Sequence, residues 1–165
     1  MKMHRLTTAQ WLPISIEEAW TFFSMPENLD LITPDDMSFN ILSGSGERTY
    51  AGQVITYKIA PVLNIPMSWV TEITQCVDKH YFIDEQRFGP YKFWHHLHRF
   101  KEQDGGVLME DILHYALPGG ALGELFGGPM IHKKVKGIFD YRGKKLAEVF
   151  PGAKDPFTPS LRRSA

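Results

Sequence analysis

The chain has 165 residues, eighteen basic and nineteen acidic side chains and a single cysteine. That is the size of one domain, with a net charge near zero and no means of closing an internal disulfide. The balance argues against a nucleic-acid binder, which carries a strongly basic face, and the lone Cys76 against a thiolate metal cluster. No apolar run approaches the roughly 20 residues needed to cross a bilayer, so stable membrane insertion is not expected. The N-terminal stretch MKMHRLTTAQW lacks the apolar core of a signal peptide, and a cytoplasmic protein is expected.

Residues 3–12 read as a strand leading into Pro13. Ser15 and Glu18 then have the spacing of a capping box, and Ala19, Trp20, Phe22 and Phe23 predict a short helix buried along one face. Pro26 opens a second short helical piece through Leu29 and Ile32, ending near Pro34. Six strands follow, over 39–42, 54–60, 68–77, 81–86, 92–101 and 107–117, separated by Gly, Asp, Asn and Pro signals. Short links between consecutive strands favour an antiparallel meander. The link over 61–66 is apolar and bracketed by Pro61 and Pro66, which predicts a loop packed on the body or at a cavity rim.

Beyond Pro118-Gly119-Gly120 the period changes. A short turn over 122–126 and then Gly127-Gly128-Pro129 lead into a long amphipathic helix. Its stripe is Ile131, Val135, Ile138, Arg142, Leu146 and Val149, in which Arg142 interrupts an apolar face. Lys133, Lys134, Lys136, Lys144 and Lys145, with Arg142, make this helix basic. A solvated face explains them, and a weak affinity for an anionic membrane is the sharper reading. One α+β domain over 1–150 is expected, followed by a mobile tail over 151–165 that carries three prolines and little to bury. In this domain seven antiparallel strands have their concave face covered by the long helix, leaving room for a small ligand between them.

The run from Asp84 to Phe100 concentrates the chemistry. It folds back at Phe88-Gly89-Pro90-Tyr91, and on its second strand Trp94, His96, His98 and Phe100 share one face. Large aromatics mixed with titratable groups suit the wall of a binding cavity. A two-residue hairpin centred between Asp104 and Gly105 sets Phe100 against Met109, His98 against Asp111, His96 against Leu113 and Trp94 against Tyr115. Two readings are open at His98 and Asp111. They are a cross-strand polar pair satisfying both groups, or an imidazole oriented as a general base. His96, His98 and Asp111 could converge on a metal ion, but that signal is weak and no metal is expected. Asp84 and Gln86 join the same wall if the preceding turn keeps its length, since a slip of one residue would turn them outward. No phosphate-cradling loop, nucleophile elbow or cysteine–histidine signature is present, and no cofactor is expected.

The element order, together with Phe82-Ile83-Asp84-Glu85-Gln86, Gly89-Pro90-Tyr91, Trp94-x-His96-x-His98-x-Phe100, Asp111-x-x-x-Tyr115 and Ile138-Phe139-Asp140-Tyr141-Arg142, resembles the START-like helix-grip superfamily. Within it, the resemblance is to the SRPBCC group of polyketide cyclase/dehydrase-like ligand-binding proteins, over nearly the whole chain to about Phe150. The resemblance implies a curved seven-stranded sheet gripping the C-terminal helix around a deep apolar cavity. It also implies a ligand such as a lipid, sterol, quinone or polyketide, with cyclisation or dehydration in some members.

On this basis Trp69, Phe82, Trp94, Phe100 and Tyr115 are expected to line the cavity, with Leu113 beside them and Ile131, Val135 and Ile138 facing them from the helix. Asp84, Gln86, His96, His98 and Asp111 would orient a ligand carbonyl or hydroxyl. The expected function is binding or transport of a hydrophobic small molecule. The alternative is a cyclase or dehydratase in which His98, oriented by Asp111, removes a proton alpha to a carbonyl while His96 polarises the oxygen. A regulatory protein with an incidental cavity is a third reading, and a homodimer is compatible with all of them.

Overall fold

The computed structural model describes residues 2–60, 65–154 and 160–163, the last four by backbone alone. Strand β1 (His4–Leu12) alternates inward His4, Leu6, Thr8, Gln10 and Leu12 with more exposed residues. Helix α1 (Ile16–Phe23) starts as its sequence predicts. The Glu18 amide donates to Ser15 Oγ, and the Glu18 carboxylate accepts from the Ser15 amide at 2.9 Å. The second short helix is a 3-10 segment, Pro26–Ile32, followed by a further 3-10 turn, Asp35–Met37.

The remaining strands are β2 (Asn40–Ser43), β3 (Val54–Ile59), β4 (Met67–Val77), β5 (Tyr81–Phe88), β6 (Phe93–Gln103) and β7 (Gly106–Ala116). They form an open antiparallel sheet in the order β2-β3-β4-β5-β6-β7-β1. The expected register of β6 and β7 is the one found, including His98 opposite Asp111 and Trp94 opposite Tyr115. Asp104 and Gly105 both take positive φ, as a tight two-residue hairpin requires. In β4 the pairing with β5 slips between Ile73 and Gln75. That bulge bends the strand and lets Ile73 and Cys76 both reach the core, although their spacing would put them on opposite faces.

Helix α2 (Gly120–Phe126) and the long helix α3 (Gly128–Val149) follow, with Pro129 in the first turn of α3. No helix among the described residues is long and apolar enough to cross a membrane. The buried face of α3 is Val135, Phe139, Arg142 and Leu146. Arg142 is therefore not part of the solvated basic face, and Val149, at the end of the predicted stripe, is exposed. Three of the lysines are matched by acids, Lys134 by Asp36, Lys136 by Asp140 and Lys145 by Glu148.

After α3 the chain does not leave the body at once. Phe150 and Ala153 pack on the core, and the Lys154 amide donates to the Trp11 carbonyl at 3.0 Å. Strand β8 (Ser160–Arg163) then pairs antiparallel with the free edge of β1, because β1 has unused backbone groups on that side. Part of the expected mobile tail is thus an eighth, edge strand. Of the proline-bracketed link, 61–64 lie outside the described residues, and Ile65 is exposed.

Two apolar clusters fill the space between sheet and helix. The larger joins α1, β3, β5 and the far ends of β6 and β7 through Trp20, Ile55, Tyr57, Phe82, Phe100 and Met109. The smaller joins Leu6, Leu113, Tyr115, Leu117, Val135 and Phe139. Buried polar residues from the middle of β1, β6, β7 and α3 (Thr8, His96, His98, Asp111 and Arg142) belong to neither cluster.

Candidate functional site

Two inward rows of the sheet set the polar groups. One runs Thr8, Asp111, His98 and Phe82 across β1, β7, β6 and β5, and the next runs Leu6, Leu113, His96 and Asp84. The hydrogen bonds follow the diagonals between these rows. His98 Nε2 lies 2.8 Å from Asp84 Oδ2, and His96 Nε2 lies 2.9 Å from Asp111 Oδ1. His96 Nδ1 also faces Asp84 Oδ2 at 3.3 Å. From α3, Arg142 donates through Nη1 to Asp111 Oδ1 at 3.2 Å, with its guanidinium over the Phe139 ring. Trp94 Nε1 donates to Asp84 Oδ1 at 3.1 Å, and Thr8 Oγ1 to Asp111 Oδ2 at 3.4 Å.

Charge in this cluster is balanced from within. Burial pushes the Asp84 carboxyl up, but hydrogen bonds from His96 and His98 outweigh it and hold the group below the usual carboxylate range. Burial likewise opposes ionisation of Asp111, and the Arg142 guanidinium with the two imidazoles holds that carboxyl well below its ordinary value. For His96, burial disfavours the charged form, while Asp111 and Asp84 overcome it and raise the pKa. Both imidazoles thus lie between the two carboxylates, and Arg142 meets Asp111 from the helix. Two buried atoms of this cluster have no hydrogen-bond partner, Arg142 Nε and His98 Nδ1; the latter lies 3.0 Å from Asp111 Oδ1, but poorly aligned.

This cluster forms one corner of a cavity of about 160 Å³. Asp84, His96, His98 and Arg142 reach it, whereas the rest of the wall is mostly apolar. Of the residues predicted from sequence, Trp69, Phe82, Trp94 and Ile138 also line it. Tyr57 and Tyr91 on the wall remain phenols, since burial pushes both pKa values up.

Seven predicted residues stand off the wall, each for a local reason. Gln86 clamps the β5–β6 turn, donating to the Tyr91 carbonyl at 2.7 Å and accepting from its amide at 3.2 Å. Phe100 is buried edge-on against Trp20 in the larger cluster. Asp111 sits behind the two histidines and contacts both. Leu113, Tyr115, Ile131 and Val135 pack in or against the smaller cluster, further along β7 and at the start of α3.

Much of the opposite wall was not predicted. It comes from Phe22, Phe23, Leu29 and Ile32 of α1 and the 3-10 segment, and from Ile55, Tyr57 and Ile59 of β3. The apolar alternation of β3 was visible in the sequence, but not the packing of α1 across the mouth of the sheet. Arg142 had one signal, its place in an apolar stripe.

No protein-family model matches the chain, and no curated protein does so either. Solved structures do. The chain is similar to TTHA0849 from Thermus thermophilus, at 15% identity and a TM-score of 0.68, over 87% of this chain and 94% of that one. It is similar to CV1439 from Chromobacterium violaceum, at 12% identity and a TM-score of 0.65, over 91% and 98%. Ara h 8.0201 is similar at 15% identity and a TM-score of 0.56, over 88% and 99%. At these identities the likeness is one of fold. The shared architecture is the helix-grip fold, an open antiparallel sheet against a long C-terminal helix.

Proposed function

We propose that the protein binds and carries a hydrophobic small molecule of lipid, quinone or polyketide type. Its polar end would point to the corner made by His96, His98 and Arg142. The observation that carries this reading is an apolar cavity with one polar corner, in which the buried Arg142 Nε has no partner. A ligand carbonyl, hydroxyl or carboxylate oxygen would supply the missing acceptor. A void of roughly 150 Å³ takes a single aromatic ring, so the cavity as it stands suits one ring or an alkyl segment. A longer ligand would displace side chains on the Phe22–Ile32 side. Each 100 Å² of apolar ligand surface buried would contribute about 2.5 kcal/mol.

The cyclase or dehydratase reading has less support. His98 Nε2 is committed to Asp84, and its unpartnered Nδ1 is buried facing Asp111, so neither nitrogen is presented to a substrate. Trp69 and Trp94 on the wall give a direct assay. Titration with a fatty acid, a quinone and an aromatic polyketide, read by tryptophan fluorescence, should give saturable binding to at least one. Thr71→Phe, which fills the cavity from its wall, should abolish that binding. No saturation with any of the three, or turnover that depends on His98, would overturn the carrier reading.

A further inference from the structure

A second cluster lies apart from this cavity, where three elements meet beside the smaller core. His4 of β1, Glu124 of α2 and His132 of α3 each offer one ligand atom, and these atoms all lie within 4.8 Å of one another. His4 Nε2 is 2.7 Å from Glu124 Oε1, and His132 Nε2 is 3.6 Å from Glu124 Oε2, too far for a hydrogen bond. The two imidazole rings stand 4.1 Å apart. From this geometry we infer that His4, Glu124 and His132 form a binding site for a zinc-class divalent cation.

Four features support the assignment. Two histidines and a carboxylate are a ligand set that zinc takes with a fourth position left to water. Tetrahedral coordination at zinc–nitrogen distances near 2.0 Å separates neighbouring ligand atoms by roughly 3.3 Å. The His4–Glu124 and His132–Glu124 separations, one to each carboxylate oxygen, fall on either side of that value, so side-chain rotation brings the three residues to that spacing about one ion. The Tyr115 hydroxyl lies 2.7 Å from His132 Nδ1, which orients the ring so that Nε2 faces Glu124. Gly128, the first residue of α3, leaves room beside the ligands. A Cβ there would stand 3.5 Å from both Glu124 Oε2 and His132 Nε2, in the space that an ion and its water need.

The site is reachable and its competitor is loose. His132 and Glu124 are partly open to solvent, and Lys2, which approaches Glu124 at 3.4 Å, is half exposed and free to swing away. Binding would tie α2 to both β1 and α3. The histidines in the cavity are poorer candidates, because Arg142 already supplies positive charge to Asp111 beside them.

The test uses tag-free full-length protein, stripped with a chelator and titrated with zinc chloride by calorimetry. Native mass spectrometry and the visible absorption of the cobalt-substituted protein are measured in parallel. One zinc per chain is expected, with the spectrum of tetrahedral cobalt. Glu124→Gln and His132→Ala should each weaken binding at least tenfold, and Tyr115→Phe by about tenfold. Gly128→Ala keeps all three ligands, and its added methyl meets only ordinary contacts in the metal-free fold. It should also lose affinity, which a purely structural role for the cluster would not produce. No zinc binding, or binding unchanged in Glu124→Gln and Gly128→Ala, would overturn the assignment, as would binding that is lost on His98→Ala instead.

Discussion

Replacing Arg142 by methionine isolates the contact on which the buried polar corner depends. Arg142 is 7% exposed and its guanidinium donates to Asp111, which is 3% exposed. Methionine keeps most of the stem volume and removes the charge, leaving Asp111 with the imidazoles and Thr8. Breaking a buried ion pair from one side costs about 3–5 kcal/mol, because the remaining charge is uncompensated. At this chain length each kcal/mol moves Tm by roughly 2–4 °C, so a fall on the order of 10 °C is expected. The pH dependence has a defined sign. Asp111 titrates lower in the folded than in the unfolded chain, so its stabilisation is present above about pH 4 and is lost as pH falls through the folded value. Without Arg142 the folded value rises toward the unfolded one, so the variant loses less stability on acidification than wild type does. Adding Asp111→Asn to the variant removes the stranded charge and should recover part of the loss. Thermal unfolding by circular dichroism at pH 3 and pH 7 reads all three proteins. A Tm change below about 2 °C in Arg142→Met, or a double variant no more stable than the single one, would refute the reasoning.

His96 provides the opposite pH signature. Its pKa is raised in the folded chain, so its stabilisation is complete below about pH 6.5 and fades as pH rises through the higher folded value. Denaturant titrations at pH 6 and pH 9 should therefore differ less in His96→Gln than in wild type; an undiminished difference would assign it to another group. Leu113 is fully buried in the smaller cluster, away from the cavity. Leu113→Ala should cost about 2–5 kcal/mol of stability and leave ligand affinity unchanged, whereas a loss comparable to that of Thr71→Phe would return Leu113 to the wall.

The sequence made the hairpin from Trp94 to Tyr115 legible because one turn, Asp104-Gly105, determines its register and every facing pair with it. The histidine face followed from that register and from strand alternation. The partners of the histidines were harder to read. Asp111 stands directly across from His98 in the backbone, but its better-aligned bond goes diagonally to His96, while His98 turns to Asp84 on the other neighbouring strand. A pairing pattern defines rows; side-chain reach defines diagonals. Arg142 was visible only as an interruption, since nothing local links it to a carboxylate 31 positions earlier. The wall supplied by Phe22, Leu29 and Tyr57 depends on how α1 and β3 close over the curved sheet, and periodicity within each element carries no information about that closure. Edge strand β8 was hidden for a related reason. Four residues near the C-terminus form a strand only because β1 offers them an unpaired edge.

The central claim, a cavity that holds a hydrophobic molecule with one polar end, is tested most directly by native mass spectrometry of freshly purified protein. Solvent extraction then identifies whatever the protein retains. The account predicts a one-to-one complex with an amphipathic molecule that Thr71→Phe does not retain and Arg142→Met retains less well. Protein that leaves the cell empty and takes up no fatty acid, quinone or aromatic polyketide in the same instrument would contradict it.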